Sequence, residues 1–279
     1  MKKLVFILSS NYSGSHYLSL LLGSHSKAMH LGEMKNLVKD GVHCYSCGVT
    51  NECDLLKGVN RLNSESLYPE LFYRAGKKVE ILIDTSKKPK WVTKFINNEM
   101  PYEIKVIHLI RDPRALIRRW KNRYTSLPSQ LNERRKAIKA FPEKALKILC
   151  SSQTNIYLYK WLKQNQDIVD FTRKNSLETK VITYHDLSLN AEKALTPIMK
   201  WLNVRFEASQ LKYWQFEHHG TQRKAYEWVK GKEVTNHIDL RWKSELDDKA
   251  SQLVLNNCDL KHFLKNIYVE QTEEGLTLE

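Results

Sequence analysis

The chain has 279 residues and no apolar run approaching the roughly 18 residues that cross a bilayer, so no segment is expected to span a membrane. The opening Met1-Lys2-Lys3 followed by the apolar residues 4–8 imitates a secretory signal. The apolar stretch is too short, however, and no small-x-small cleavage site closes it, so the cytoplasm is the expected location. No repeat, low-complexity tract or linker divides the chain, and one domain over residues 1–269 is expected, followed by a polar, acidic tail at 270–279. The net charge is +14, yet no block of five like charges marks a basic tail. A balance of this kind suggests a polyanionic partner or an anionic cofactor, and charge alone does not separate nucleic acid from nucleotide. Despite seven tryptophans, no helix-turn-helix, RNP or zinc-finger spacing appears, which argues against a nucleic-acid partner. The triphosphate-binding signature G-x-x-x-x-G-K-[ST] is also missing, which argues against a nucleotide or nucleoside kinase.

What is present centres on residues 4–24. Val5, Phe6, Ile7 and Leu8 suit a strand buried on both faces of a parallel sheet, and Leu18, Leu21 and Leu22 can share one face of a following helix. Between them, residues 9–16 are rich in hydroxyls and small side chains. The first N–H groups of a helix have no intrahelical partner and the macrodipole favours negative charge there, so this loop is read as an anion cradle. An ordinary tight strand-to-helix turn is the competing reading.

Further strands are expected at 79–83, 104–110 and 177–187, with helices at 64–75, from about Pro89 to 98, after Pro113, through most of 129–175, at 190–203 and at 247–265. The fold class predicted is α/β, one domain with a central parallel sheet flanked by helices. Asp84-Thr85-Ser86-Lys87 closes the second strand where open α/β sheets bind ligands, making Lys87 a candidate sulfate or phosphate contact. Arg111, at the end of the third strand, can clamp an oxyanion with paired donors; Arg118, Arg119 and Arg123 continue the basic character along the next helix. Glu33, after Gly32, is a candidate catalytic carboxylate, with His30 and His16 as alternatives. Cys44, Cys47 and Cys53 can ligate zinc if His43 or another group supplies a fourth ligand, although the second C-x-x-C of a strong zinc signature is absent. Reduced loop thiols or a redox disulfide are the alternatives. Trp161 and the apolar residues around it fit a buried face better than a stacking surface.

Taken in order, Ser13-Gly14-Ser15, Asp84-Thr85-Ser86-Lys87, Arg111-Asp112-Pro113-Arg114, the segment Val181-Ile182-Thr183-Tyr184-His185-Asp186-Leu187 and Trp201-Leu202-Asn203-Val204 resemble the sulfotransferases that use 3′-phosphoadenosine 5′-phosphosulfate (PAPS), bacterial members in particular. The resemblance covers almost the whole chain. It implies a P-loop-like sulfotransferase fold and sulfuryl transfer to a hydroxyl or amine of a small-molecule or glycan acceptor. It places Tyr12, Ser13, Gly14, Ser15, His16 and Tyr17 around the 5′-phosphosulfate, Arg111 and Arg119 at the 3′-phosphate, and Tyr184, Gln222 and Arg223 among the cofactor contacts. Glu33 becomes the general base, assisted by Lys87 and His16. Two departures stand out: Tyr12 occupies a position usually held by Lys or Arg, and Arg119 one usually held by Ser. His16 stands where Thr is usual and is expected to donate when protonated.

Overall fold

Leu4, Val5, Phe6, Ile7 and Leu8 have no exposed surface, as a strand in the middle of a parallel sheet requires. The computed structural model describes residues 1–37, 43–48, 50–96, 99–222 and 239–266. Its strands are β1 (Lys2–Ser9), β2 (Ala28–Gly32), β3 (His43–Cys44), β4 (Ile81–Lys87), β5 (Tyr102–Ile110), β6 (Thr179–Thr183) and β7 (Thr221–Gln222). They form one sheet in the order β3-β7-β2-β4-β1-β5-β6. The five strands from β2 to β6 in that order are mutually parallel, β7 pairs in parallel with β2 at Gly32, and β3 runs antiparallel to β7.

The helices, again in chain order, are α1 (Ser15–Gly23), α2 (Leu67–Arg74), α3 (Pro89–Val92), α4 (Pro113–Arg123), α5 (Leu127–Ala140), α6 (Ala145–Leu149), α7 (Gln153–Lys174), α8 (Tyr184–Leu189), α9 (Ala191–Trp201), α10 (Trp242–Glu245), α11 (Asp248–Leu255) and α12 (Cys258–Asn266). Side chains alternate across a strand, so β1 feeds two cores. Leu4, Phe6 and Leu8 pack with Tyr68 and Leu71 of α2 and Ile168 of α7. Val5 and Ile7 pack with Leu18, Leu21 and Leu22 of α1 and Leu195 and Ile198 of α9. A third core joins α4, α5, α7, α11 and α12 beside the end of β5. Helices therefore cover both faces, and the predicted α/β sheet is the observed one.

Several local expectations change. Residues 28–32, for which the sequence predicts no strand, form β2 because β4 offers a free edge onto which this buried segment pairs. The strand expected at 177–187, β6, stops at Thr183, whose hydroxyl accepts from the Asp186 N–H at 3.0 Å and caps α8; a hydroxyl there ends the strand four residues early. α3 ends at Val92 rather than near 98. The last expected helix is two, restarted where Asn257 Oδ1 accepts from the Leu260 N–H at 3.0 Å. Trp161 is fully buried and donates Nε1–H to the Arg111 carbonyl at 2.9 Å, a core residue that also fixes the end of β5. Among the described residues, no helix is long and apolar enough to cross a membrane.

Candidate functional site

The carboxyl ends of β4, β1 and β5 lie side by side, and the chain leaves β1 through a loop forced into unusual backbone. Tyr12 (φ 73°) and Gly14 (φ 89°) both adopt left-handed conformations. Gly14 is the N-cap of α1, no side chain caps the helix, and its first turn holds no acidic residue. A Cβ on Gly14 would stand 2.5 Å from Cδ2 of Tyr184, so this glycine allows the Tyr184 ring to press on the loop. The same ring lies 4.2 Å, centroid to Cζ, from the Arg111 guanidinium. Tyr184 thus brackets the helix start and the arginine into one cavity of about 330 Å³.

Tyr12, Gly14, His16 and Tyr17 line this cavity from the loop and α1, Arg111 and Arg119 from the β5–α4 segment, and Tyr184 from α8. Among the described residues, Oγ of Ser9 and Ser13, Oγ1 of Thr85 and Nε of Arg111 are buried without a hydrogen-bond partner. These donors stand at or just beyond the ends of the three adjacent strands. Buried polar atoms are rarely left so, and an anion seated over the uncapped helix start would meet donors of this kind. Ser15, buried, occupies the first turn of α1.

Arg111 donates Nη1–H to the Tyr12 carbonyl at 2.7 Å and Nη2–H to Asp239 Oδ2 at 2.8 Å. Asp239 also accepts from Arg241 at 2.6 and 2.7 Å. Hydrogen bonds from Arg241, with the Arg111 charge behind them, hold the Asp239 carboxyl far below the ordinary range despite partial burial. The Arg119 guanidinium sits 5.0 Å from the Tyr12 ring centroid and Arg123 5.8 Å from it. Tyr12 therefore presents a ring that gathers two cations from α4. Neighbouring arginines have other work: Arg114 pairs with Asp112 at 2.6 Å and stacks on Trp242, and Arg118 pairs with Glu245 at 2.5 Å. Both are buried and do not extend a basic face into solvent.

Glu33 follows β2, and its position rests on Gly32. That residue has φ 70°, and a Cβ there would lie 2.1 Å from the Thr221 carbonyl oxygen of β7. Glu33 Oε1 accepts from Lys87 Nζ, Oε2 lies 3.2 Å from Lys35 Nζ, and Asn36 Nδ2 donates to Oε2 at 3.0 Å. Burial alone would raise the Glu33 pKa, but the charges of Lys87 and Lys35 and their hydrogen bonds outweigh it and hold the carboxyl at about 2. Lys87 itself is left-handed (φ 64°), at a register shift in the β1–β4 ladder. Asp84 is structural: its buried carboxylate accepts from the Tyr68 hydroxyl at 2.5 Å, Trp91 Nε1 at 2.8 Å and the Ser86 N–H at 2.6 Å.

The two histidines differ from expectation. His16 packs 5.1 Å from His30 and 5.3 Å from Tyr45, centroid to centroid. Burial, then the Lys87 and His218 charges, push its pKa down to about 4 against a weaker opposing effect of Glu33. Its surroundings therefore favour the neutral imidazole over the protonated donor expected from the sequence. His30 is 1 % exposed, hydrogen bonded to Ser19, and held neutral mainly by burial. It lies inside the protein, behind His16. Gln222 pairs by its backbone with His43 of β3, on a strand separated from β1 by β2 and β4. Arg223 lies outside the described residues. The fourth group at the cysteine cluster is His219; His43 instead turns Nδ1 to the Gly48 carbonyl at 3.0 Å. Sequence reading also missed Asp239, Arg241 and Tyr213. The His218-His219 doublet was the one local signal for a ligand opposite the cysteines.

No protein-family model and no curated protein sequence matches the chain. Solved structures do, and the fold they define is that of the sulfotransferases. The sulfotransferase domain from the curacin biosynthetic pathway superposes with a TM-score of 0.55 at 19 % identity, covering 91 % of this chain and 96 % of that one. The sulfotransferase domain from the Synechococcus PCC 7002 olefin synthase gives 0.50 at 18 % identity over 90 % and 94 % of the two chains. Both support the sulfotransferase resemblance carried by the sequence motifs.

Proposed function

We propose that the protein transfers a sulfuryl group from PAPS to a hydroxyl or amine of a small-molecule or glycan acceptor. The observation that carries this reading is the convergence of Gly14, Tyr184 and Arg111 on one cavity at the uncapped start of α1. A donor with phosphates on the 3′ and 5′ positions of one ribose needs two anion sites a ribose apart. The helix start, with the hydroxyls of Ser13 and Ser15, suits the 5′-phosphosulfate; Arg111, with Arg119 held on Tyr12, suits the 3′-phosphate once Asp239 gives way.

Bound PAPS would supply an activated sulfuryl group whose bridging S–O bond breaks as the acceptor oxygen or nitrogen bonds to sulfur. The chain's part is positioning and charge stabilisation. Glu33 takes the acceptor's proton, and Lys87 with the α1 N–H groups stabilises the charge left on the departing phosphate. Lys87 is the link between these roles, because it touches Glu33 and its charge also acts on His16 in the cradle. A Lys87 drawn toward the donor leaves Glu33 with fewer cations, and the carboxylate becomes more basic at the moment it is needed.

The test is binding of adenosine 3′,5′-bisphosphate and adenosine 5′-phosphate, by calorimetry and thermal shift, to the natural protein and to Arg111→Ala. A native-state ligand raises the melting point. Arg111→Ala is expected to weaken the bisphosphate by roughly tenfold to a hundredfold, as loss of one charge-assisted contact does, and the monophosphate much less. Equal weakening of both, or no binding of the bisphosphate to the natural protein, overturns the reading.

A further inference from the structure

At the β3–β7 edge of the sheet, four side chains distant in sequence meet. Cys44, Cys47 and Cys53 come from one segment and His219 from the residues that lead into β7, and their ligating atoms all lie within 4.8 Å of one another. His219 Nδ1 stands 3.8 Å from Cys44 Sγ, 3.4 Å from Cys47 Sγ and 3.6 Å from Cys53 Sγ. A tetrahedral zinc with Zn–S of about 2.3 Å and Zn–N of about 2.0–2.1 Å sets sulfur and nitrogen ligands about 3.5 Å apart. The three distances bracket that value. We propose that Cys44, Cys47, Cys53 and His219 bind one structural zinc ion that clamps the segment after β3 to the start of β7.

Independent features support a metal over a simple thiol cluster. All five cysteines are unbridged, so no disulfide accounts for the approach of these three. The Cys47 N–H points at Cys44 Sγ at 3.5 Å, an arrangement that suits sulfur carrying negative charge. The second nitrogen of His219, Nε2, faces Glu217 Oε2 at 3.7 Å, as a carboxylate that orients a metal-binding imidazole would. Three thiolates and an imidazole form a closed donor set with the softness zinc accepts and no open position for chemistry. Binding releases the thiol protons, so affinity rises with pH.

The clamp has a purpose beyond its own edge. Tyr45 N–H donates to the Gly220 carbonyl at 2.9 Å, the Ser46 hydroxyl and His218 backbone exchange two hydrogen bonds of 2.9 Å, and Thr221 pairs with Gly32. An ion that fixes residues 44–53 against His219 therefore fixes the strand on which Gly32, and hence Glu33, is seated.

Elemental analysis of the protein purified under reducing conditions without added metal should find one zinc per chain. His219→Ala and Cys47→Ser should lose most of it, whereas Cys150→Ser, an exposed cysteine outside the cluster, should keep it. Thiol titration of the native protein should find two fast thiols, Cys150 and Cys258, and all five after a strong chelator, with a lowered melting point. Cobalt(II) added to the chelated protein should give the intense visible absorption of a tetrahedral thiolate site. The last three readouts need only the natural chain, so misfolding of a variant does not blunt the test. Zinc well below one per chain, with five fast thiols, a melting point unmoved by chelator and no such cobalt spectrum, overturns the proposal. So does a mass two hydrogens short, which marks a disulfide. None of these measurements reads sulfuryl transfer, and their failure would leave the proposed reaction standing.

Discussion

Glu33 is a carboxylate held by two lysines, and its charge is what a base needs while its low pKa is what a base does not. The contradiction resolves if Lys87 serves the donor during turnover, and Glu33→Gln tests it. The amide keeps the shape, so bisphosphate binding should survive, while kcat falls by about 10²–10⁴-fold with an acceptor found by screening. Near-normal turnover would leave Glu33 as a tether for Lys87 only. Among single residues, those at strand ends were readable: Arg111, Lys87 and Gly14 each follow a buried apolar run, and chain geometry gives such positions a common edge. Asp239 was not readable, because nothing in its own neighbourhood shows which cation 128 residues earlier it will meet. Arg118 and Arg119 are adjacent and of the same charge, yet one is buried on Glu245 and the other stacks on Tyr12. Helical rotation alone separates them.

The elements show the same division between local and distant causes. β1, β4 and β5 carry enough continuous apolar sequence to declare themselves, and α1 and α4 follow from loop and proline signals. β2 has only five residues, two of them His30 and Gly32, and becomes a strand because β4 and β7 flank it. Its junction with β7 is the most exacting contact of the edge. Gly32→Ala would combine a left-handed backbone with a Cβ pressed on the Thr221 carbonyl, so a loss of roughly 2–4 kcal/mol is expected. Urea unfolding would measure it, and a variant as stable as the natural chain would mean that β7 can step away from β2 at little cost. The zinc clamp is likewise unreadable in full, since 166 residues separate Cys53 from His219.

For the whole molecule, acid is the predicted weakness. His16 and His108 are held at about 4 and His30 well below its usual 6.5, in each case chiefly by burial. The unfolded chain binds protons at these histidines between pH 6.5 and 4 whereas the folded chain does not, so stability falls as pH falls through that window. Glu33 adds a later loss: its folded value of about 2 lies below the ordinary 4.5 of a glutamate, so its contribution is complete above pH 4.5 and disappears toward pH 2. Denaturant unfolding at pH 7 and pH 5 should differ by a few kcal/mol, with the natural protein less stable at pH 5. Equal stability at the two values would mean that these imidazoles take up protons without opening the fold.

The Arg111–Asp239 pair has a consequence for how such a basic protein meets an anion in salt. A bare guanidinium collects mobile counter-ions from solution, and a ligand that displaces them gains entropy that added salt erodes. Arg111 instead carries a tethered counter-ion that cannot diffuse away. An incoming phosphate there would displace a carboxylate that stays within the same chain. Few mobile counter-ions would then be released from this contact, so ionic strength would have little hold on it even though the net charge of the molecule is +14. The tether also ranks anions: a singly charged one gains little over Asp239, and a dianionic phosphate gains the difference.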